Sequence, residues 1–72
     1  MTVKQLKIGD RATVSNIIHD TDGHWKKLAA FGIIAGIDLE LRQKWPAFVI
    51  KIGATEIGID SEIANLIEIE KS

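Results

Sequence analysis

The feature that most constrains this chain is the alternation in its second half. Ile37, Leu39 and Leu41 alternate with Asp38, Glu40 and Arg42. Phe48, Ile50 and Ile52 alternate with Val49 and Lys51, and Ile57 and Ile59 with Glu56, Gly58 and Asp60. Ile67 and Ile69 fall on one face of a last segment, Leu66 to Glu70. A period of two belongs to an extended chain with one face buried and the other in water. Isoleucine supplies 13 of the 72 residues, and its β-branched side chain suits strands. The chain therefore reads as mainly β.

The remaining segments fit around those strands. Val3, Leu6 and Ile8 make an apolar opening that closes on the turn signal Gly9-Asp10. Arg11 to Ile18 reads as the first long strand, with Ala12, Val14 and Asn16 on one face and Thr13, Ser15 and Ile17 on the other. His19 to Gly23 is rich in residues that bond their own backbone, so it reads as a loop. One short helix follows, capped by Thr21 or Asp22. Trp25, Leu28, Ala29 and Phe31 line its buried side, and Gly32 suits the left-handed position just past its end. Trp45-Pro46 interrupts the alternation, because proline cannot donate to a ladder. Gly53-Ala54-Thr55 reads as a hairpin connection, and Ser61 as the cap of a single helical turn.

Residues 1–72 make a single domain. Surface scaling predicts about 4,400 Å² of accessible surface for a folded chain of this size, hence a small core. Such domains often need staples, yet this one has no cysteine and must fold on apolar burial alone. Thiolate metal sites, iron–sulfur clusters and cysteine nucleophiles are excluded with the disulfides. A closed barrel would protect the edges of so small a sheet. The expected fold is a small five-stranded barrel, with the one short helix following the first long strand and plugging one end. A split sheet with the helix on one face is the alternative.

Charge narrows the function. Residues 1 to 35 hold five basic and three acidic side chains, and residues 36 to 72 hold four and seven, for a net charge of −1. Neither half carries the basic excess of a nucleic-acid binder. No apolar run approaches the ~18 residues of a membrane helix, and the first residues carry no signal core. The expectation is a cytoplasmic domain.

The run Leu28-x-x-Phe31-Gly32-Ile33-x-x-Gly36, with Leu6-x-x-Gly9 before the first strand and Ser61-x-x-Ala64-x-x-Ile67 at the end, resembles the ferrous iron transport protein A (FeoA) family. Ala35 stands where that family has a proline, Lys27 where it often has an arginine, and Trp45-Pro46-Ala47 where it usually has a longer hairpin. The resemblance implies an SH3-like barrel. It implies a small accessory of ferrous iron uptake that acts on the cytosolic part of a FeoB-type ferrous iron permease. It also implies association with Fe(II) or another divalent transition metal, and likeness to the C-terminal module of iron-dependent repressors. In this chain Leu28, Gly32, Ile33 and Gly36 read as a structural corner first, since glycines at a helix-to-strand turn serve the backbone.

Two sets of side chains are candidates for contact chemistry. His19, Asp22 and His24 could ligate a metal, because imidazole and carboxylate suit Fe(II), Mn(II) or Zn(II). A capped turn needs the same residue types and is the favoured reading of the loop. Trp45, with Arg42 and Phe48, could form an aromatic centre with a basic rim for an acidic or apolar segment of a larger protein. No catalytic residue is assigned: Ser15 and Ser61 lack a glycine elbow, no phosphate loop is present, and Glu68 and Glu70 read as a solvated face. So small a chain has little room for a substrate pocket of ~300 Å³. The expected role is a non-catalytic binding module that is monomeric or weakly dimeric and contacts the membrane only through its partner. A metal carrier or sensor, or a free-standing relative of the repressor module, is the alternative.

Overall fold

The alternating segments form strands, and a computed structural model covering residues 1–72 shows how they pair. In chain order the elements are β1 (Arg11–Ile17), α1 (His24–Ala30), β2 (Asp38–Gln43), β3 (Phe48–Ile52), β4 (Thr55–Ile59), α2 (Ser61–Ala64) and β5 (Ile67–Lys71). A 3-10 turn at Val3–Gln5 precedes them, where the sequence showed only an apolar opening. All five strands lie in one antiparallel sheet of order β4-β3-β2-β1-β5.

The sheet does not close, which corrects the expected closed barrel. β5 returns on the free side of β1, so β4 and β5 end the strand order and no ladder joins them. The outer side of β5 is covered by the start of the chain. The Ile69 N–H donates to the Met1 carbonyl at 2.8 Å, and Thr2 bridges Glu68. No ladder covers the outer side of β4.

Two bulges bend the sheet, and both displace side chains from the expected alternation. On β1, Val14 pairs with Ile69 and Asn16 with Glu68, leaving Ser15 as the extra residue. Beyond that bulge Ile17, expected on the Thr13 face, packs against the core, while Asn16 stays exposed and donates to the Glu68 carboxylate at 2.9 Å. On β2 the shift falls at Arg42. A bulge adds one residue to one strand only, so the period of two changes phase across it.

The core consists of 14 buried residues, all apolar. Every strand contributes, and Val3, Leu6, Leu28, Ile33 and Ala64 cover what the strands leave open. Each fully buried Leu or Ile side chain contributes about 1.5–3 kcal/mol from burial. Accessible surface is 4493 Å², close to the scaling expectation.

α1 is held at its ends more than along its length. Its first turn is not capped by Thr21 or Asp22. Gly23 occupies the cap position, and the Asp20 carboxylate accepts from the His24 backbone N–H at 2.9 Å. The turn that folds Asp20 back is closed by the Gly23 N–H on the Asp20 carbonyl. At the far end Gly32 has φ +85°, its N–H donates to Ala29 at 3.0 Å, and the Ile33 N–H donates to Leu28 at 2.9 Å. This is a Schellman ending, and its apolar pair is Leu28 and Ile33, both buried. Phe31 falls outside the helix and is 63% exposed, which corrects its placement in the core. α2 is likewise capped by Asp60 in place of Ser61, since its carboxylate accepts from the Ile63 N–H at 2.8 Å.

The chain then turns over Ile34–Ile37, with the Ile37 N–H on the Ile34 carbonyl. Gly36 has φ +93° and Ala35 a negative φ, the signature of a type II turn. The Gly36 N–H donates to Val14 at 2.7 Å, stitching the corner to β1. Proline fits the position of Ala35, whose own N–H makes no backbone hydrogen bond. Ala35→Pro is expected to raise unfolding stability by about 0.4–1 kcal/mol in urea titration. Gly36→Ala is expected to lower it by about 1–2 kcal/mol. A destabilised Ala35→Pro would show that the turn is of another type.

Candidate functional site

The loop before α1 brings together Asp20, Asp22 and His24, whose ligand atoms all lie within 4.8 Å of one another. His19, expected among the metal ligands, is not in this group. It stacks on Trp25, with ring centroids 4.3 Å apart and planes inclined by 21°. Asp20 takes its place for a local reason. The turn that starts α1 points its carboxylate at His24, accepting from the backbone N–H and bonding Nδ1 at 2.6 Å. Burial pushes the Asp20 carboxyl up, but the hydrogen bonds and charge of His24 outweigh it and hold the pKa below the ordinary value. Two carboxylates and an imidazole are a suitable donor set for Fe(II), Mn(II) or Zn(II). Here, however, both Asp20 oxygens and His24 Nδ1 are engaged in starting the helix, leaving Asp22 and His24 Nε2 as the uncommitted donors.

The stacked His19–Trp25 pair forms one wall of a groove of about 250 Å³. Ile17 at the end of β1, Ala29 on α1, and Ile33, Ile34 and Ala35 from the corner supply the rest of its apolar lining. Lys26 lies over the Trp25 ring, 5.7 Å from its centroid, and places a cation beside the groove. Ile34 is 53% exposed, and Phe31 stands free where α1 ends. Sequence reasoning missed this face because the helical period assigned Trp25 and Ala29 to the buried side, whereas Trp25 is half-buried against His19 and Ala29 is exposed.

The Trp45 surface is smaller than expected. Trp45 is 84% exposed and follows β2, in a loop held by Gln43 Nε2 on the Ala47 carbonyl at 3.1 Å. Phe48, expected at the same surface, is buried in the core because it begins β3 on the inner face. Arg42 does not offer a free charge. Its guanidinium bonds Glu40 at 3.0 Å and Glu56 at 3.3 Å. The hydrogen bond with Arg42 holds Glu40 below its ordinary value and raises Arg42.

An open cleft of about 500 Å³ lies over β1, β2 and β3, more room than the chain length suggested. Its charged lining is largely internally matched, with Arg11 3.6 Å from Glu40 and the Asp38 carboxylate accepting from Thr13 at 2.7 Å.

Asp10, Asp20 and Glu40 all sit below their ordinary pKa values in the folded state. A depressed carboxylate stabilises the fold above its unfolded pKa, and that stabilisation is lost as pH falls through the folded pKa. Urea midpoints are therefore expected to hold down to about pH 5 and to drop below about pH 4. Asp20→Asn should remove part of that drop. In a separate measurement, Zn(II) or Fe(II) titration followed on the His19 and His24 imidazole signals is expected to give weak, non-saturating shifts. Saturable low-micromolar binding lost in Asp22→Ala and His24→Ala would instead assign a metal site.

Several solved proteins share this fold. An iron uptake regulatory protein (FeoA) matches 100% of this chain and 96% of its own, with a TM-score of 0.89 at 19% identity. The Stenotrophomonas maltophilia FeoA solved with zinc, a prokaryotic SH3 domain protein, matches 97% of this chain and 89% of its own, with a TM-score of 0.86 at 20% identity. T. acidophilum IdeR matches 100% of this chain but only 34% of its own, with a TM-score of 0.91 at 24% identity. These likenesses show a common SH3-like fold. No curated protein matches the sequence, and no helix is long and apolar enough to cross a membrane. The FeoA domain model matches residues 1–71, and the chain belongs to that family.

Proposed function

We propose that this domain is a small cytoplasmic accessory of ferrous iron uptake that docks on the cytosolic part of a FeoB-type permease. The observation that carries this reading is the apolar groove along α1 in a chain of the FeoA family. A groove floored by aliphatic side chains and walled by an aromatic stack suits one or two apolar anchors of a partner segment. Lys26 beside Trp25 favours an acidic residue next to those anchors. The mechanism is surface complementarity: docking biases the permease toward one of its states, and the domain itself performs no chemistry. The S. maltophilia relative, proposed to act as a ferrous iron transport activating factor, is consistent with this role.

The test is a pull-down with the permease's cytosolic domain, with and without nucleotide. Ile34→Glu and Ala29→Glu, both in the groove lining, are expected to weaken binding by about 30-fold or more. Their melting temperatures should stay near that of the unmodified chain, since both side chains are exposed. Trp45→Ala should leave binding unchanged. Loss of binding in Trp45→Ala alone would move the docking surface to the β2–β3 loop, and no binding under any condition would remove the proposal.

A further inference from the structure

Two turns meet at the end of β2 that lies away from the groove. The Lys7–Asp10 turn is closed by the Asp10 N–H on the Lys7 carbonyl at 2.9 Å, with Ile8 and Gly9 at its centre. It lies beside β2, because the Gly9 N–H donates to the Leu41 carbonyl at 2.8 Å and the Leu41 N–H to the Asp10 carbonyl at 2.9 Å. Trp45 follows just after β2 ends at Gln43. Each turn carries an apolar side chain with a lysine directly before it, Lys7-Ile8 in one and Lys44-Trp45 in the other. Ile8 is 66% exposed, and Trp45 more so. Neither lysine makes an ion pair. Most carboxylates of this end are engaged elsewhere. Asp10 sits 3.4 Å from Lys71, Glu40 and Glu56 share Arg42, and Asp60 caps α2, which starts here because Ile59 pairs with Phe48. Glu62 of α2 is left without a cation, against the two free lysines. Neither of the two cavities of the molecule is lined by Ile8 or Trp45. This end therefore has no hollow to take in a partner's side chain and presents side chains of its own.

We propose that this end of the domain rests on an anionic lipid surface, with Trp45 and Ile8 in the headgroup region and Lys7 and Lys44 at the phosphates. Protruding apolar tips need a medium that gives way around them, and a bilayer interface does so without a matching cavity. A protein partner would need a pocket for each tip at a fixed spacing. Tryptophan suits the interface, since its ring has an apolar body and an N–H that stays wet. The lysines supply the charge complementarity. Their ammonium groups attract lipid phosphates while their stems lie along apolar surface. Two side chains and two charges give weak, reversible binding of the kind a single acyl chain gives. The contact does not require the permease, and it leaves the groove clear. β1 leads from this end at Arg11 to the groove at Ile17, about 20 Å along the strand.

The test is co-sedimentation of the full chain with vesicles of phosphatidylcholine, alone or with about one-third phosphatidylglycerol. Binding to the anionic vesicles is expected, and it should weaken as salt is added. The emission of Trp45, isolated in a Trp25→Phe chain, should shift to the blue on binding. Trp45→Ala is expected to weaken partitioning by about 10-fold, and Lys7→Gln and Lys44→Gln by about 5-fold each. Ile34→Glu in the groove should leave it unchanged. Melting temperatures of the Trp45 and lysine variants should stay near that of the unmodified chain, since Trp45 is exposed and the lysines are unpaired. No sedimentation with anionic vesicles at millimolar lipid would overturn the proposal, as would binding indifferent to Trp45→Ala. Permease binding lost in Trp45→Ala, in the absence of lipid, would assign this end to a protein surface instead.

Discussion

The structure depends on the corner from Leu28 to Ile37. α1 has seven residues, too few to persist on its own, and only Leu28 of them is buried. Its burial cannot fix where it sits. Its ends do: Asp20 binds the first turn, and the Ile33 N–H on the Leu28 carbonyl closes the last. Ile33 then enters the core, and the Gly36 N–H reaches Val14 in β1. The helix is thus held to the sheet by two buried side chains, Leu28 and Ile33, and by the backbone bond from Gly36 to β1. That economy leaves the flank of α1 uncovered. Trp25 and Ala29 meet Ile33, Ile34 and Ala35 at a groove because the corner holds the helix against the end of β1 without burying it.

The strands were legible in the sequence because alternation is a direct image of a half-buried extended chain. Leu39, Leu41, Ile50, Ile59, Ile67 and Ile69 are all buried where the pattern placed them. Gly32 was legible too, since it holds the left-handed backbone expected just past the helix; Gly36, read only as a backbone-serving corner residue, is left-handed as well. What failed was whatever depends on a single residue's phase. The bulge at Ser15 carried Ile17 to the core side, and no local composition marks a bulge of this kind. The caps moved by one or two residues, from Thr21 or Asp22 to Asp20 and from Ser61 to Asp60, because several neighbouring side chains could reach the same N–H groups. Closure was the largest miss. Five strands can close or stay open with the same pattern, and the difference lies in whether the two end strands, β4 and β5, also pair.

The candidate sites show the same division. Sequence spacing could place His19, Asp22 and His24 in one loop, but not say that His19 stacks on Trp25 while Asp20 turns in. Nor could it tell Phe31 from Phe48. Each precedes or follows a break in the pattern, and the structure exposes the first and buries the second.

Electrostatics explains which surfaces are left for partners. Arg42 lies between Glu40 and Glu56, Arg11 reaches Glu40, and Lys71 sits 3.4 Å from Asp10. Exposed pairs of this kind add little stability, but they tie up charges that could otherwise steer a ligand. Beside the α1 groove, by contrast, Lys26 has no carboxylate partner, so its charge stays available to an acidic residue of a docking segment.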